Sequence, residues 1–303
     1  LLPESPVNEK SPHTCENVLY DVDVAAVHLE HAAGEVLRTL WPLVDPDSGV
    51  MVVGAVCRDV LHAALGMSEQ LTATGDLDLA FGVKGWEQYR ALTSRLESVA
   101  GSGSNIRYRV AGTLVDLVPF GDVEEPVGEV RLPHETSMMS VFGFQEVFAA
   151  ASRVTLAGGA AVRLPTPAGY AALKLKAWVD RRAHHESKDG RDLGTVMSWY
   201  EQSPQVIDRL YEPDDNDAAA AGVLEAADFD PALGAVELLA RDAMSVIGAN
   251  RHAELRRLWQ SVDDDLLATD LAPRRALPRG PRTGRLDERV LALRRGIDGP
   301  TLR

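Results

Sequence analysis

Three short apolar runs, GVMVVG (49–54), DLDLAFGV (76–83) and TLVDLVPF (113–120), read as buried strands, and they all lie in the first half of the chain. AVCRDVLHAAL opens a helix directly after Gly54, and WEQYRALTSRLESVA reads as a helix ending at Gly101. IRYRVAG meets TLVDLVPF at Gly112, the signature of a tight hairpin. The order strand, helix, strand, helix, strand, strand demands a mixed sheet with helices packed against it. GDVEEPVGEVRLPHETSM is a polar loop, SVFGFQEVFAAA a short helix, and RVTLAGGAAVRLP a second hairpin turning at Gly158-Gly159. From Pro167 helical spacing takes over, in PAGYAALKLKAWVDRRAHH, in KDGRDLGTVMSWYEQ, and over 231–248 and 250–268. The expected fold class is α+β (α/β-like): a mixed β-sheet lobe over 20–165, a mainly helical lobe over 166–270, and an arginine-rich tail over 271–303. Ahead of the sheet, DVDVAAVHLEHAAGEVLRTLWPLV has helical spacing, with Val24, Val27, Ala32, Val36 and Leu40 as candidate core positions.

Charge is distributed unevenly. The formal net charge of the 303 residues is −14. The tail runs the other way, with Arg274, Arg275, Arg279, Arg282, Arg285, Arg289, Arg294, Arg295 and Arg303 against Asp287, Glu288 and Asp298. An acidic body argues against non-specific wrapping of nucleic acid. The tail reads either as a contact for RNA or an acidic partner, or as a solvated end. Cys15 and Cys57 have no CxxC spacing, so neither a disulfide framework nor a cysteine zinc site is expected. LLPESPVNEK lacks the layout of a secretory leader, and no apolar run approaches a membrane span. A cytoplasmic protein with no membrane partner is the expectation.

Asp76 and Asp78 alternate with Leu77 and Leu79, so the two carboxylates share one face of a strand and the leucines the other. Asp116 sits likewise among Leu114, Val115, Leu117 and Val118. Unpaired buried carboxylates are costly, and divalent cations are the natural compensation for three of them on one face. A pair of such ions activates an attacking oxygen and holds a leaving pyrophosphate. A D-x-D also recurs by chance at strand ends, and Asp116 also fits an exposed edge strand. Upstream, the strand that ends at Gly54-Ala55 runs straight into a helix. A helix N-terminus offers free N–H groups to a phosphate, Gly54 lets the phosphate approach the backbone, and Arg58 stands in the first turn or so.

Taken together, GAVCRDVL, TGDLDLAFGV, VDLVPFGDVE, MSVFGFQEVF, LKLKAWVDRR and KDGRDL resemble the polymerase-beta type of nucleotidyltransferase. Within that superfamily they are most similar to the AbiEii/MenT-like group, rich in toxins of toxin–antitoxin systems. The resemblance covers roughly residues 49 to 200. It implies a nucleotidyltransferase lobe with Asp76 and Asp78 as Mg²⁺ ligands and Asp116 as third ligand or base. Lys174 would hold the nucleotide phosphates, and Asp189 would be a further acid of the helical half. It implies two Mg²⁺ ions, a nucleoside triphosphate substrate, an RNA acceptor such as a tRNA 3′ end, and a cognate antitoxin. The superfamily usually carries Gly-Gly or Gly-Ser where this chain has Gly54-Ala55, so a serine contact is missing. Small-molecule or protein hydroxyls are alternative acceptors, and a non-catalytic nucleotide binder is a further alternative.

In the second half, Lys174, Trp178 and Arg181 fall on one helical face, either as phosphate clamp and base-stacking platform or as a core tryptophan with snorkelling cations. Lys176 lies on a different side. Asp189 and Asp192, near a helix start, are explained equally by capping. Arg107 and Arg109 line the cleft or form a solvated strand face.

Overall fold

The computed structural model describes residues 19–45, 48–71, 74–99, 105–133, 135–184, 186–272 and 282–299, the side chains of 282–284 excepted. Cys15 lies outside them, and Cys57 is buried.

Helix α1 (Val22–Leu40) starts at an Asp21 cap, whose carboxylate accepts from the Asp23 and Val24 amides. It buries Ala25, Leu29, Ala33, Val36, Leu37 and Leu40, while Val24 and Val27 are exposed. The core face is therefore one residue, about 100°, from the expected stripe. Val36 and Leu40 are buried as expected; Val24, Val27 and Ala32 are not.

The sheet contains β1 (Gly49–Val53), β2 (Asp76–Val83), β3 (Glu97–Ser98), β4 (Arg107–Val110) and β5 (Thr113–Gly121). After the separate two-stranded pair β6 (Glu129–Val130) and β7 (Met139–Ser140), it is completed by β8 (Ser152–Thr155) and β9 (Ala161–Leu164). Its order is β3-β4-β5-β2-β1-β9-β8. β2 pairs parallel with β5 and antiparallel with β1, and β9 runs parallel to β1. The two expected hairpins form, β4–β5 across Ala111-Gly112 and β8–β9 across Gly158-Gly159, with all four turn residues at positive φ. The helix after β2 is shorter than its sequence implies. α3 (Trp86–Thr93) stops early, and Glu97–Ser98 becomes an edge strand. The polar loop likewise carries β6 and β7.

Helix α2 (Gly54–Ala64) follows β1 without a linker. One sheet face presents Leu79, Phe81 and Leu117 beside Leu37 and Leu40 of α1 and Leu92 of α3. The opposite face carries the aspartates. Its far end is closed by α4 (Phe144–Ala150), whose Phe144 and Phe148 rings pack on Phe120.

Beyond Leu164 the described residues are helical: α5 (Pro167–Arg181), α6 (Lys188–Gln202), α7 (Pro204–Tyr211), α8 (Val223–Ala226), α9 (Pro231–Trp259), α10 (Asp264–Asp270) and α11 (Arg282–Asp298). α9 breaks at Gly248, whose backbone is non-helical. The break matches the division expected after 248, but the second expected helix, 250–268, stops at Trp259 and helix resumes only at Asp264. The basic tail is not a solvated end over residues 285–298. α11 lies against α9, with Gly296 so close that an added Cβ would sit 2.4 Å from both the Ala240 Cβ and the Glu237 carbonyl. Its arginines are paired: Arg285 with Asp230, Arg289 with Glu201, Arg294 with Asp264 and Arg295 with Glu237. Arg274, Arg275, Arg279 and Arg303 lie outside the described residues, as does the side chain of Arg282. No helix among the described residues is long and apolar enough to cross a membrane.

Candidate active site

Sheet register decides which acidic side chains meet. Asp78 is opposite Asp116 in the parallel β2–β5 pair, and Asp116 is opposite Arg107 in the antiparallel β4–β5 pair. Asp76, two residues from Asp78, shares its face. The three carboxylates expected from the sequence are thus neighbours on adjacent strands. Asp78 and Asp116 line a cleft of about 640 Å³ between the sheet and the helices.

Arg107 changes what the trio can do. Its Nε and one Nη each donate to a different oxygen of Asp116 at 2.7 Å, and the same Nη reaches Asp76 Oδ2 at 3.2 Å. This fork is the strong, geometrically specific form of the guanidinium–carboxylate pair. Asp76 also accepts from Thr74 Oγ1. The Thr74 hydroxyl first, and Arg107 after the opposing effect of burial, hold the Asp76 acid below its ordinary range. The Asp78 carboxylate makes no hydrogen bond or ion pair with any described residue. Burial, then the like charges of Asp76 and Asp116, push its acid above the ordinary range.

Gly54 explains why Asp78 is so placed. Its φ of +67° lies in the left-handed region, and an added Cβ would stand 1.9 Å from Asp78 Oδ2. The backbone at the β1–α2 junction therefore touches the carboxylate, which only glycine permits. Val53, at the N-cap of α2, offers no capping side chain, so the helix's first amides keep their donor capacity beside the cleft.

The other wall comes from the helical half. Leu173, Lys176, Ala177 and Arg181 of α5 line it together with Lys188 at the start of α6. Lys176 is held by Asp180 at 2.7 Å and lies over the Phe142 ring. Lys188 is exposed and makes no ion pair among the described residues; its charge is felt by both Asp76 and Asp78. Met138, Met139 and Phe144 add an apolar section.

Several expected site residues are engaged elsewhere. Lys174 borders the cleft but is 8 % exposed, with its ammonium 2.9 Å from Asp189 and 2.6 Å from Asp192. Burial works against its charge; the two carboxylates outweigh burial and raise its pKa. Arg58 is also buried and donates to Asp192 at 2.8 Å and to Asp59. Arg181 closes the chain on Asp189 at 2.9 Å. Arg58, Lys174 and Arg181 thus face Asp59, Asp189 and Asp192 in a neutral network that ties α2 to α5 and α6. Arg58, expected as a phosphate ligand, is not among the residues that line the cleft. Trp178 is fully buried against Trp259 and donates its indole N–H to Asp270 at 2.9 Å, so it offers no stacking platform. Ala55 is buried and does not line the cleft, whereas Gly54 does. Lys188, the first residue of KDGRDL, and Lys176, on a different side of the helix from Lys174, both line the cleft without a sequence signal that singles them out.

Whether the carboxylates suit Mg²⁺ can be asked of the residues themselves. Among the described residues no group of three or more His, Cys, Asp or Glu side chains is disposed to hold a metal ion. Arg107 occupies both oxygens of Asp116. Asp76 and Asp78 remain, two hard oxygen donors on one strand face, one of them without a partner. Such a pair fits an ion that takes one or two carboxylates and completes its shell with water and substrate phosphates. No protein-family model matches the chain, and no curated protein matches it.

Proposed function

We propose that the protein is a nucleotidyltransferase that moves a nucleoside monophosphate from a nucleoside triphosphate to an acceptor hydroxyl. One observation carries the reading: strand carboxylates and helix cations face each other across a single cleft. A triphosphate needs both, an acidic wall for its cation and a basic wall for its oxygens.

Asp76 and Asp78 would hold Mg²⁺, which would supply the charge neutralisation that a triphosphate requires. The chain's own groups do the rest. Gly54 and the open amides of α2 seat phosphate oxygens against the backbone. Lys188, with Lys176 and Arg181 beside it, offsets the charge that builds on the departing pyrophosphate. Met138, Met139 and Phe144 give the nucleobase an apolar surface. The acceptor oxygen forms a bond to the α-phosphorus while the bond from that phosphorus to the bridging oxygen breaks. The bridging electron pair leaves with pyrophosphate, and Asp116 takes the hydroxyl proton. Most of the acceleration comes from positioning the reactants and from fixed charges. The sequence resemblance assigns an RNA acceptor, a tRNA 3′ end, and a growth-arresting role countered by an antitoxin.

The test supplies Mg²⁺ and each α-labelled nucleoside triphosphate in turn, with total tRNA, aminoglycosides or protein as acceptor. Label on tRNA is the expected result, and it should vanish in the Asp76→Ala, Asp78→Ala variant while that variant stays folded. Transfer only to the other acceptors would move the acceptor and leave the reaction standing. No transfer to anything, with nucleotide still bound, would refute the reaction. Induced expression in a bacterial host should arrest growth in a manner that requires Asp76.

A further inference from the structure

We propose that Arg107 stands in for one of the two metal ions, so that the site takes a single divalent cation on Asp76 and Asp78. The inference rests on the nucleotidyltransferase reading and deepens it. Its basis is a geometry fixed by strand register: the Arg107 guanidinium lies on the carboxylate face of the sheet and bridges Asp116 and Asp76. A second ion on Asp116 would have to share that carboxylate with a guanidinium that donates to both of its oxygens at 2.7 Å, cation beside cation. The guanidinium cannot drift far, because Arg107 and Asp116 are directly opposed cross-strand partners. Nor can it lose its charge, since a guanidinium stays protonated in proteins.

Asp116 is thereby a positioned carboxylate rather than a metal ligand. The guanidinium holds its plane and leaves its remaining lone pairs for a proton. Asp78, which has no partner among the described residues, is the strongest claim on the ion.

Mn²⁺ reports the stoichiometry without turnover. Titrate the full chain with Mn²⁺ alone and read the free hexaaqua signal by electron paramagnetic resonance. Use wild type, Arg107→Met, Arg107→Lys and the Asp76→Asn, Asp78→Asn variant, each checked for folding by circular dichroism. One tight Mn²⁺ is expected in wild type and in Arg107→Lys, two in Arg107→Met, and none in the double Asn variant. Two tight ions in wild type, or one in a folded Arg107→Met, overturns the substitution and leaves the proposed reaction intact. If Arg107→Met fails to fold, the wild-type and Lys counts decide: two ions in either overturns the inference. No Mn²⁺ on wild type overturns the inference, while label transfer still decides the nucleotidyltransferase reading.

Discussion

Replacing Gly54 by alanine tests the site and the fold at once. Two costs are separable. The first is backbone strain, about 1–2 kcal/mol for a residue with a Cβ held in the left-handed region. The second is steric: the new Cβ would lie 1.9 Å from Asp78 Oδ2, against about 3.4 Å for ordinary contact. The carboxylate must therefore retreat by roughly 1.5 Å. A displacement of about 1 Å in a reacting group is enough to cost on the order of 10²-fold in rate. Gly112→Ala is the control, because its φ is +79° and an added Cβ there meets nothing within 4 Å. Both variants should lose stability in urea unfolding through the shared backbone strain, Gly54→Ala the more because of its added clash. Only Gly54→Ala should lose label transfer, by about 10²-fold or more. Equal transfer by the two variants would refute the claim that Gly54 exists to admit the Asp78 carboxylate.

Asp78→Asn should abolish transfer yet raise stability near neutral pH. Burial lifts the folded acid above its unfolded value, so the folded state binds more protons in that window and stability falls as pH rises through it. The advantage of Asn should therefore shrink as pH is lowered toward about 4, and thermal melts across pH would expose an error of sign. Lys174→Met should cost about 3–5 kcal/mol in denaturant unfolding, because it breaks a buried ionic network. Lys188→Ala should leave the melt unchanged and raise the KM for the triphosphate, and the reverse pattern for the two lysines would reject their assigned roles. Trp178→Phe should cost about 1 kcal/mol through the lost Asp270 hydrogen bond and leave the nucleotide KM alone. A KM that rises would return Trp178 to the cleft.

The strand half of this site was legible because a strand has a period of two. Asp76, Asp78 and their leucine neighbours sort onto opposite faces with no knowledge of anything else, and register then brings Asp116 alongside. Both hairpins were legible from their glycines. Helical faces were harder, since an error of one residue turns a face by about 100°. On α1 the β-branched Val24 and Val27 drew the stripe off Ala25 and Leu29. On α5 the chosen face of Lys174, Trp178 and Arg181 is split: Trp178 is in the core, Lys174 borders the cleft but is buried in ion pairs, and Arg181 lines the cleft with Leu173, Lys176 and Ala177. Arg58 was read as a phosphate ligand because its local setting is a helix start. Its partner Asp192 is 134 residues away, a distance that no local pattern spans. Arg107 was visible as a cation on a strand; that it would fork onto Asp116 follows only from the pairing of β4 with β5.

The final helix has a practical consequence for anyone shortening this chain. Glu237 is almost wholly buried and is held by two guanidiniums, those of Arg241 and Arg295, the second contributed by α11. Cutting at residue 272 would strip away that second guanidinium, unmask the groove on α9 that Gly296 fills, and leave Glu201 and Asp264 without their arginines. Such a fragment would retain every residue of the cleft, yet it should be prone to clump and to melt early, so inactivity in it would say nothing about the chemistry.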